Sequence, residues 1–278
     1  MTSAIQAERI TFGYGRDKPV LRDVSFEIQA GSFLAIAGPN GVGKSTLINI
    51  LARLLRPQSG RVLLEGENLR SCSVQEVARK VAVVRQEFIP AFGFSVIETV
   101  LMARTLHYGR LGFESRTDRE LTIRALELTG TTEFASRPLG SLSAGERQRV
   151  FIARGLAQDT PILLLDEPTS FLDLKHQIKV YDLLKSIQTE KGTTIVAITH
   201  DINLASQYCN ETLLLYPPGG STGGSPSYRI GKTSEVLTPD EVERAFDVHV
   251  FSATVGGLSF LIPSGARTDG PNLPSRTS

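Results

Sequence analysis

The sequence predicts an α/β fold whose central sheet is covered by helices on both faces. Short apolar runs are flanked by turn residues and are continuous rather than alternating, which is typical of parallel strands buried on both sides. Between these runs, apolar residues recur with the spacing of a helix. The chain has 278 residues, 41% hydrophobic and 21% charged. It is therefore long and apolar enough to bury a sizeable core.

The alternation of strands and helices can be followed along the chain. Strands are predicted at 33–37 (FLAIA), 81–84 (VAVV), 162–165 (ILLL), 194–198 (TIVAI) and 212–216 (TLLLY). One helix is indicated by Leu47, Ile50, Leu51 and Leu54, which repeat at i, i+3, i+4 and i+7 before Pro57. Another follows Asp173, whose side chain suits a helix N-cap. This order favours an α/β architecture.

Residues 87–158 differ from the rest of the chain. They contain no convincing strand and several helical stretches, such as 117–128 (TDRELTIRALEL). We therefore expect an α-helical subdomain inserted into one domain that spans residues 3–262. The closing segment 263–278 is rich in Pro, Ser, Thr and Gly, which predicts a flexible tail.

Composition excludes several classes of function. Lys and Arg number 30 against 29 Asp and Glu, and a net charge of +1 gives no support for a nucleic-acid partner. The N-terminal residues (MTSAIQAERITFGYG) lack the apolar region of a secretory signal, and no apolar run approaches the ~20 residues of a membrane span. Any membrane role is thus expected to depend on a partner. Cys72 and Cys209 stand far apart and are expected to be inert thiols.

A glycine-rich segment follows the first predicted strand of the sheet. It matches the pattern G-x-x-x-x-G-K-[ST] and consists of Gly38, Pro39, Asn40, Gly41, Val42, Gly43, Lys44, Ser45 and Thr46. Glycines let the backbone wrap a phosphate, and the N–H groups and the following helix N-terminus face the anion. Lys44 can then reach the β- and γ-phosphates, and the Ser45 hydroxyl can bind Mg²⁺.

Two carboxylates end the strand predicted at 162–165. Asp166 and Glu167 follow it directly, and ligands of open α/β sheets bind at the carboxyl ends of the strands. Asp166 suits a Mg²⁺ contact, and Glu167 suits polarisation of an attacking water. Beside a phosphate loop, this pattern indicates nucleotide hydrolysis.

Further motifs make the identification specific. Residues 142–149 read LSAGERQR, Gln86 follows the strand at 81–84, residues 170–173 (SFLD) follow the acids, and His200 follows the strand at 194–198. This order and spacing resemble the ATP-binding cassette (ABC) family over roughly residues 5–260. The resemblance implies a P-loop NTPase fold with a mixed sheet core, and an ATPase that uses ATP and Mg²⁺.

The resemblance also implies a role for each matching position. Catalysis would fall to Glu167, His200 and Gln86. ATP would be held by Tyr14, which would stack on adenine, and by Gly38, Pro39, Asn40, Gly41, Val42, Gly43, Lys44, Ser45 and Thr46. Mg²⁺ would contact Ser45, Gln86 and Asp166. The signature segment that contacts ATP of the other subunit would be Leu142, Ser143, Ala144, Gly145 and Glu146. Asp173 would belong to a loop at the dimer interface.

The sequence departs from the family pattern in three places. The usual signature is Leu-Ser-Gly-Gly-Gln, whereas here Ala144 replaces the first Gly and Glu146 replaces Gln. Phe171 stands where a small residue is common. The methyl group of Ala144 needs space near the phosphate or the facing loop.

Weaker features indicate which kind of cassette this is. Residues 94–104 (FSVIETVLMAR), 172–177 (LDLKHQ) and 236–251 (VLTPDEVERAFDVHVF) resemble importers of ferric siderophores, haem and cobalamin. This group implies a membrane permease, a second copy of the chain, an external binding protein and a place on the cytoplasmic face of the inner membrane.

Other classes of protein share some of these features with importer ATPases. Molybdate, tungstate or other metal importers look similar in these segments. A soluble cassette ATPase acting on ribosomes or nucleic acid usually carries two fused cassettes or a long insert, and this chain has one phosphate loop. A GTPase should show Asn-Lys-x-Asp, which is absent. A module that binds nucleotide without turnover finds no support, because Glu167 and His200 are both present.

Overall fold

The computed structural model describes residues 2–15, 19–85, 93–108, 112–217 and 228–266. The strands are β1 (Ser3–Phe12), β2 (Leu21–Gln29), β3 (Phe33–Ala37), β4 (Ser59–Leu64), β5 (Glu67–Asn68), β6 (Val81–Val84), β7 (Ile162–Leu165), β8 (Thr194–Ile198), β9 (Glu211–Leu215), β10 (Tyr228–Lys232), β11 (Val248–Val255) and β12 (Leu258–Ala266). The helices are α1 (Lys44–Leu51), α2 (Val74–Lys80), α3 (Val96–Leu101), α4 (Arg116–Leu128), α5 (Ala144–Ala157), α6 (Leu174–Lys191), α7 (Ile202–Tyr208), α8 (Thr233–Val236) and α9 (Pro239–Phe246).

The five strands predicted from apolar runs form one sheet. Its order is β10-β9-β3-β8-β7-β6, with every neighbouring pair parallel except β10 and β9. Leu34 and Ile36 of β3 pack into one hydrophobic cluster, whereas Phe33 and Ala35 pack into a second one on the opposite face. The continuous apolar run therefore reflects burial on both faces, and the predicted α/β fold class is confirmed.

A second, antiparallel sheet was not predicted. It has the order β2-β1-β4-β5 and shares a hydrophobic cluster with α1 and one face of the parallel sheet. In β1 the side chains of Ile5 and Ala7 are buried, while Gln6 and Glu8 lie closer to solvent. Register shifts between Ala7 and Ile10 break this alternation, which obscures the strand in the sequence.

The segment between β6 and β7 is helical, as predicted. It contains α3, a 3₁₀ helix at Met102–His107, α4 and α5. Within its described parts, 93–108 and 112–161, extended pairing is limited to one isolated bridge between Ser95 and Pro138. The capping box of α4, formed by Ser115 and Asp118, explains why the predicted helix at 117–128 begins at Arg116.

A buried ion pair holds these helices together. The Arg104 guanidinium donates through Nε to Asp118 Oδ1 at 2.9 Å and through Nη1 to the carbonyl oxygens of Ala157 and Gln158 at 3.0 and 3.1 Å. The two side chains are only 7% and 3% exposed. The pair thus connects the 3₁₀ helix, the start of α4 and the end of α5.

We predict that Arg104→Met lowers the free energy of unfolding by about 3–5 kcal/mol, because it leaves the Asp118 carboxylate buried without its cation. Arg116→Met is the matched control, since Arg116 forms an exposed pair with Glu120 and its side chain is 93% exposed. The control should cost less than about 0.5 kcal/mol. Denaturant unfolding measures both variants, and equal losses would contradict the assigned role.

The last two strands, β11 and β12, pack against the main hydrophobic cluster of the domain. Strands β11 and β12 form a hairpin, and β12 continues to Ala266, four residues into the segment predicted as a flexible tail. The rest of that segment, 267–278, lies outside the described residues.

Cys72 and Cys209 are both buried free thiols. Among the described residues, no helix combines the length and apolar character needed to cross a bilayer.

Candidate functional site

The glycine-rich segment lies where predicted, between β3 and α1. Gly43 precedes α1 with φ 103°, and Gly41 has φ 81°, both in the left-handed region that favours glycine. At Gly38, a Cβ atom would lie 2.5 Å from the carbonyl oxygen of Leu215 in β9. The loop therefore depends on glycine for its conformation and for its close approach to the sheet.

Lys44 is the first residue of α1 and is 5% exposed. Its ammonium group donates to the carbonyl oxygens of Gly38 and Pro39, both at 2.9 Å, so the side chain spans the loop. Burial lowers the pKa of Lys44, and the carboxylates of Glu167 and Asp166 oppose this effect. The Lys44 ammonium group is thus held against the backbone of the loop that can receive phosphates.

Asp166 lies beside Ser45 because β7 and β3 are separated only by β8 in the sheet. The Ser45 hydroxyl donates to Asp166 Oδ1 at 3.0 Å. Burial raises the pKa of Asp166, and the hydrogen bond from Ser45 counteracts this. Two oxygen ligands are therefore adjacent at the N-terminus of α1.

Glu167 and His200 come together from the ends of neighbouring strands β7 and β8. His200 Nε2 lies 2.7 Å from Glu167 Oε1, and the Ser170 hydroxyl donates to Glu167 Oε2 at 2.9 Å. Burial alone would raise the pKa of Glu167, but the hydrogen bonds from His200 and Ser170 outweigh it and lower the pKa. Glu167 also has φ 50°, a strained backbone conformation of the kind found at functional sites.

The signature segment caps helix α5. Ser143 and Glu146 form a reciprocal capping box: the Ser143 hydroxyl accepts from the Glu146 amide, and the Glu146 carboxylate accepts from the Ser143 amide at 2.8 Å and from its hydroxyl at 2.7 Å. This pairing explains a Glu at position 146, since Glu is the usual partner in such a box.

The signature segment packs against the loop that follows the two acids. A Cβ atom at Gly145 would lie 3.2 Å from the carbonyl oxygen of Phe171, so Gly145 permits this close contact. The Gln177 side chain donates to the carbonyl oxygens of Thr169 and Leu172 and thereby stabilises the loop 169–173. Asp173 ends the loop and caps α6 by accepting from the His176 amide at 2.9 Å.

Tyr14 lies at the edge of the phosphate loop. Its hydroxyl is 3.2 Å from the Thr46 hydroxyl, and its ring meets Phe12 edge-on at 5.1 Å. Tyr14 is 72% exposed, so most of its surface is open to solvent. This geometry fits a ring held in place at its hydroxyl end.

The structure brings together most of the predicted site and adds residues to it. Ser170 and Gln177 lie in the segments 170–173 and 172–177 that carry the family resemblance, but neither was given a role of its own, because a single Ser or Gln carries no recognisable pattern. A cleft also joins Asn40, Glu167 and His200 to Leu261 and Pro263 of β12. Gln86 lies outside the described residues.

Known proteins resemble this chain over most of its length. A family model described as ABC transporter matches residues 21–170. The cobalamin import ATP-binding protein of Halobacterium salinarum is 39% identical over 93% of this chain, which spans 61% of that relative's length. The ferric enterobactin transport ATP-binding protein of Escherichia coli K12 is 36% identical over 94% of both chains.

Solved structures give the same result. A chain of an inward-facing transporter assigned to the metal-chelate type superposes with a TM-score of 0.80 at 30% identity, covering 95% of this chain and 98% of that one. A dimeric bacterial ABC transporter cassette superposes with a TM-score of 0.69 at 32% identity, covering 76% and 94%.

Proposed function

Since the chain belongs to the ABC transporter family, we propose that it is the ATP-hydrolysing subunit of an importer for an iron chelate or cobalamin. One observation carries the hydrolytic part of this proposal. The paired Glu167 and His200 lie at the same sheet edge as Lys44 and the Ser45–Asp166 pair. The phosphate loop, two oxygen groups suited to a metal ion and a carboxylate base therefore lie at one edge of the parallel sheet.

In this proposal the phosphate chain lies along the loop from Gly38 to Thr46. The buried Lys44 ammonium neutralises charge on the β- and γ-phosphates, where charge develops as the terminal phosphoryl group leaves. Glu167 orients the attacking water and accepts its proton. The lowered pKa of Glu167 keeps the carboxylate ionised at neutral pH, as this role requires. In this proposal His200, which is hydrogen-bonded to Glu167, contacts the γ-phosphate.

The residues around Ser45 fit Mg²⁺. Hard divalent cations prefer oxygen ligands, and the Ser45 hydroxyl and the Asp166 carboxylate supply two that are 3.0 Å apart. An ion held by these two oxygen groups would complete its coordination with phosphates and water. Bound there with Ser45, Asp166 and Gln86, Mg²⁺ would neutralise negative charge on the phosphates.

We further propose that the signature segment completes the site of a second copy. Ser143 opens the 14-residue helix α5, whose N-terminus favours an anion. In this proposal, as the family resemblance implies, Leu142–Glu146 contact the γ-phosphate of ATP in the other subunit and Asp173 lies at the interface. The dimeric cassette that superposes on this chain supports an assembly of two copies.

Tyr14 offers a test of adenine binding. We predict that Tyr14→Ala raises the dissociation constant for ATP about 5- to 30-fold, because stacking of a base on an aromatic ring contributes roughly 1–2 kcal/mol. Tyr14→Phe keeps the ring and loses only the hydrogen bond to Thr46, so it should remain within a few-fold of wild type. Equilibrium binding of ATP and of inorganic triphosphate measures the effect. An equal loss for both ligands would contradict stacking.

The importer role is supported by the relatives named above. Both are described as ATP-binding proteins of import or transport systems, one for cobalamin and one for ferric enterobactin. We therefore propose a membrane permease as direct partner, an external substrate-binding protein as indirect partner, and a peripheral position at the cytoplasmic face of the membrane.

Purification of the tagged chain from its native membranes tests this role. The expected result is a stable complex with a multispanning membrane protein, whose reconstitution in vesicles gives ATP-dependent uptake of a ferric siderophore, haem or cobalamin. Uptake of molybdate or tungstate instead would replace the proposed cargo. Recovery with ribosomes or nucleic acid alone would contradict the transport function.

A further inference from the structure

A cavity of about 340 Å³ lies between the end of α1 and the antiparallel sheet. Nine described residues line it, from the last turn of α1, the loop 52–58, β4 and the residues after β5: Ile50, Arg53, Leu55, Arg56, Pro57, Arg61, Val62, Leu69 and Arg70. This volume is typical of sites for small ligands. Because α1 has eight residues and begins with Lys44, the cavity lies at the opposite end of this helix from the phosphate loop, roughly 12 Å away. It is therefore separate from the nucleotide site.

The cavity combines apolar side chains with an unusual number of arginines. Ile50, Val62 and Leu69 belong to the hydrophobic cluster that α1 shares with the antiparallel sheet, and all three are buried. Of the nine described lining residues, four are arginine and none is Asp or Glu. Guanidinium groups present planar pairs of N–H donors that match the oxygen atoms of carboxylates and phosphates. The lining therefore indicates a site for an organic anion.

Arg53 lies in a strained backbone conformation directly after α1. Its φ is 60°, in the left-handed region. The Arg53 amide donates to the carbonyl oxygen of Ile50 at 3.0 Å, and the Leu54 amide donates to that of Asn49 at 2.8 Å. These two bonds form a Schellman motif, in which this position is ordinarily glycine because a Cβ atom disfavours the left-handed region. Strain of this kind is typical of functional positions, which indicates a role for the Arg53 side chain.

One nitrogen atom of the Arg53 side chain is buried without a hydrogen bond. This atom, Nη1, has no hydrogen-bond partner among the described residues. A buried donor without an acceptor is unfavourable, and an oxygen atom of a bound anion would supply the acceptor. The pKa of Glu76 in α2 is lowered by hydrogen bonds from Ser73 and, to a smaller degree, by the charges of Lys80 and Arg53. Glu76 is engaged in the capping box of α2 and does not line the cavity.

The other three arginines differ in how far their charge is compensated. Arg61 donates to Glu8 Oε2 at 2.7 Å in an exposed ion pair. Arg56 forms no ion pair within the described parts of the chain, and Arg70 donates to a backbone carbonyl oxygen at 3.3 Å. Together with Arg53, three guanidinium groups thus lack a paired carboxylate among the described residues, and their charge exceeds that of a single carboxylate ligand. A phosphate monoester matches them better, because it carries about −1.5 to −2 charges at neutral pH and three acceptor oxygen atoms.

We propose that this cavity binds a phosphate monoester, with the phosphate group held by Arg53, Arg56 and Arg70. The organic part of the ligand lies against the apolar side chains of Ile50 and Val62. A soluble metabolite and the headgroup of phosphatidic acid share this chemistry. The site is independent of the proposed ATP hydrolysis, because the phosphate loop is at the opposite end of α1.

The first test measures binding of phenyl phosphate to the full chain by titration calorimetry. Arg53→Gly should weaken binding at least about tenfold, because charge-assisted hydrogen bonds to the phosphate are lost. Glycine suits the left-handed conformation, so the temperature of thermal unfolding should not fall, which separates loss of binding from loss of fold. Arg116→Ala is the matched control, since Arg116 is an exposed arginine on α4, and its affinity should stay within twofold of wild type.

A second series locates the site. Lys44→Ala should leave the affinity for phenyl phosphate within twofold of wild type, because Lys44 lies at the other end of α1. A loss with Lys44→Ala but not with Arg53→Gly would place binding at the phosphate loop and overturn the proposal. Benzoate bound as tightly as phenyl phosphate would also overturn it, since that result would identify a carboxylate, such as one on an acidic protein segment, as the ligand.

Vesicles separate the two sources of the phosphate. Arg53-dependent binding to phosphatidylcholine vesicles that contain phosphatidic acid, but not to phosphatidylcholine alone, would identify a lipid headgroup. Arg53-dependent binding of phenyl phosphate without binding to either kind of vesicle would identify a soluble ester. Both results support the proposal. If neither probe shows binding that depends on Arg53, the proposal is wrong.

Discussion

Lys44→Ala should reduce the rate of ATP hydrolysis at least 10²- to 10³-fold. The ammonium group is buried at the base of the phosphate loop and fixed by two carbonyl oxygens 2.9 Å away. It therefore needs no reorganisation to stabilise charge on the β- and γ-phosphates, and removal of one such preorganised donor typically costs about 3–4 kcal/mol in the transition state. Steady-state release of phosphate measures the loss.

Lys191→Ala provides the control for this experiment. Lys191 is an exposed lysine at the end of α6 that pairs with Asp159, and its loss should leave turnover within about twofold of wild type. A thermal melt of both variants shows that they are folded. Wild-type turnover in a folded Lys44→Ala protein would refute the assignment of the phosphate loop.

Glu167→Gln should retain ATP binding and hydrolyse ATP about 10²- to 10⁴-fold more slowly. Glutamine keeps the shape and the polar character of the side chain but cannot accept the proton of the attacking water. The Ser170 hydroxyl can still donate to the amide oxygen, so the loop that carries the site should be preserved. Binding of ATP by equilibrium dialysis and single-turnover hydrolysis separate the two effects.

A matched change tests whether the loss is specific to position 167. Glu190→Gln alters an exposed carboxylate on α6 that accepts from the Ser186 hydroxyl, and it should not change the rate. A Glu167→Gln protein that turns over ATP at the wild-type rate would rule out Glu167 as the catalytic carboxylate.

The parallel sheet could be predicted because its strands are buried on both faces. Runs such as 162–165 are apolar at every position, and each became a strand with matching bounds or bounds shifted by one residue. The first helix ends at Leu51 rather than near Leu54, which is 55% exposed and lies beyond the last helical turn. Periodicity alone does not locate that end.

The strands of the antiparallel sheet and of the C-terminal hairpin were not predicted from the sequence. Their strands are half-exposed, and register shifts interrupt the pairing of β1 with β2 and of β11 with β12, so neither strand pair keeps one pattern over its whole length. The hairpin also depends on contacts distant in sequence, such as Asn203 with Leu261. No local signal in residues 248–266 announces such a contact.

The candidate site also contains residues that local sequence patterns predict and residues that only the fold brings together. Lys44, Ser45, Asp166 and Glu167 follow from local patterns next to buried strands. The pairing of Glu167 with His200 follows from strand order, because β7 and β8 are neighbours. Ser170 and Gln177 act through hydrogen bonds to Glu167 and to loop carbonyl groups, which only the folded chain reveals.

The mass of Glu167→Gln in solution tests the shared nucleotide site most directly. Light scattering over a range of protein concentrations gives the dimer dissociation constant without nucleotide, with Mg²⁺-free ATP and with Mg²⁺-ATP. Since a ligand bound across an interface favours the associated state, ATP should lower this constant at least about 100-fold. Adding Ser143→Arg to the same protein should abolish the ATP effect, because the large side chain occupies the contact with the partner's phosphate. An ATP effect that survives Ser143→Arg, or no effect of ATP on the folded Glu167→Gln protein, would contradict a site completed by the second copy.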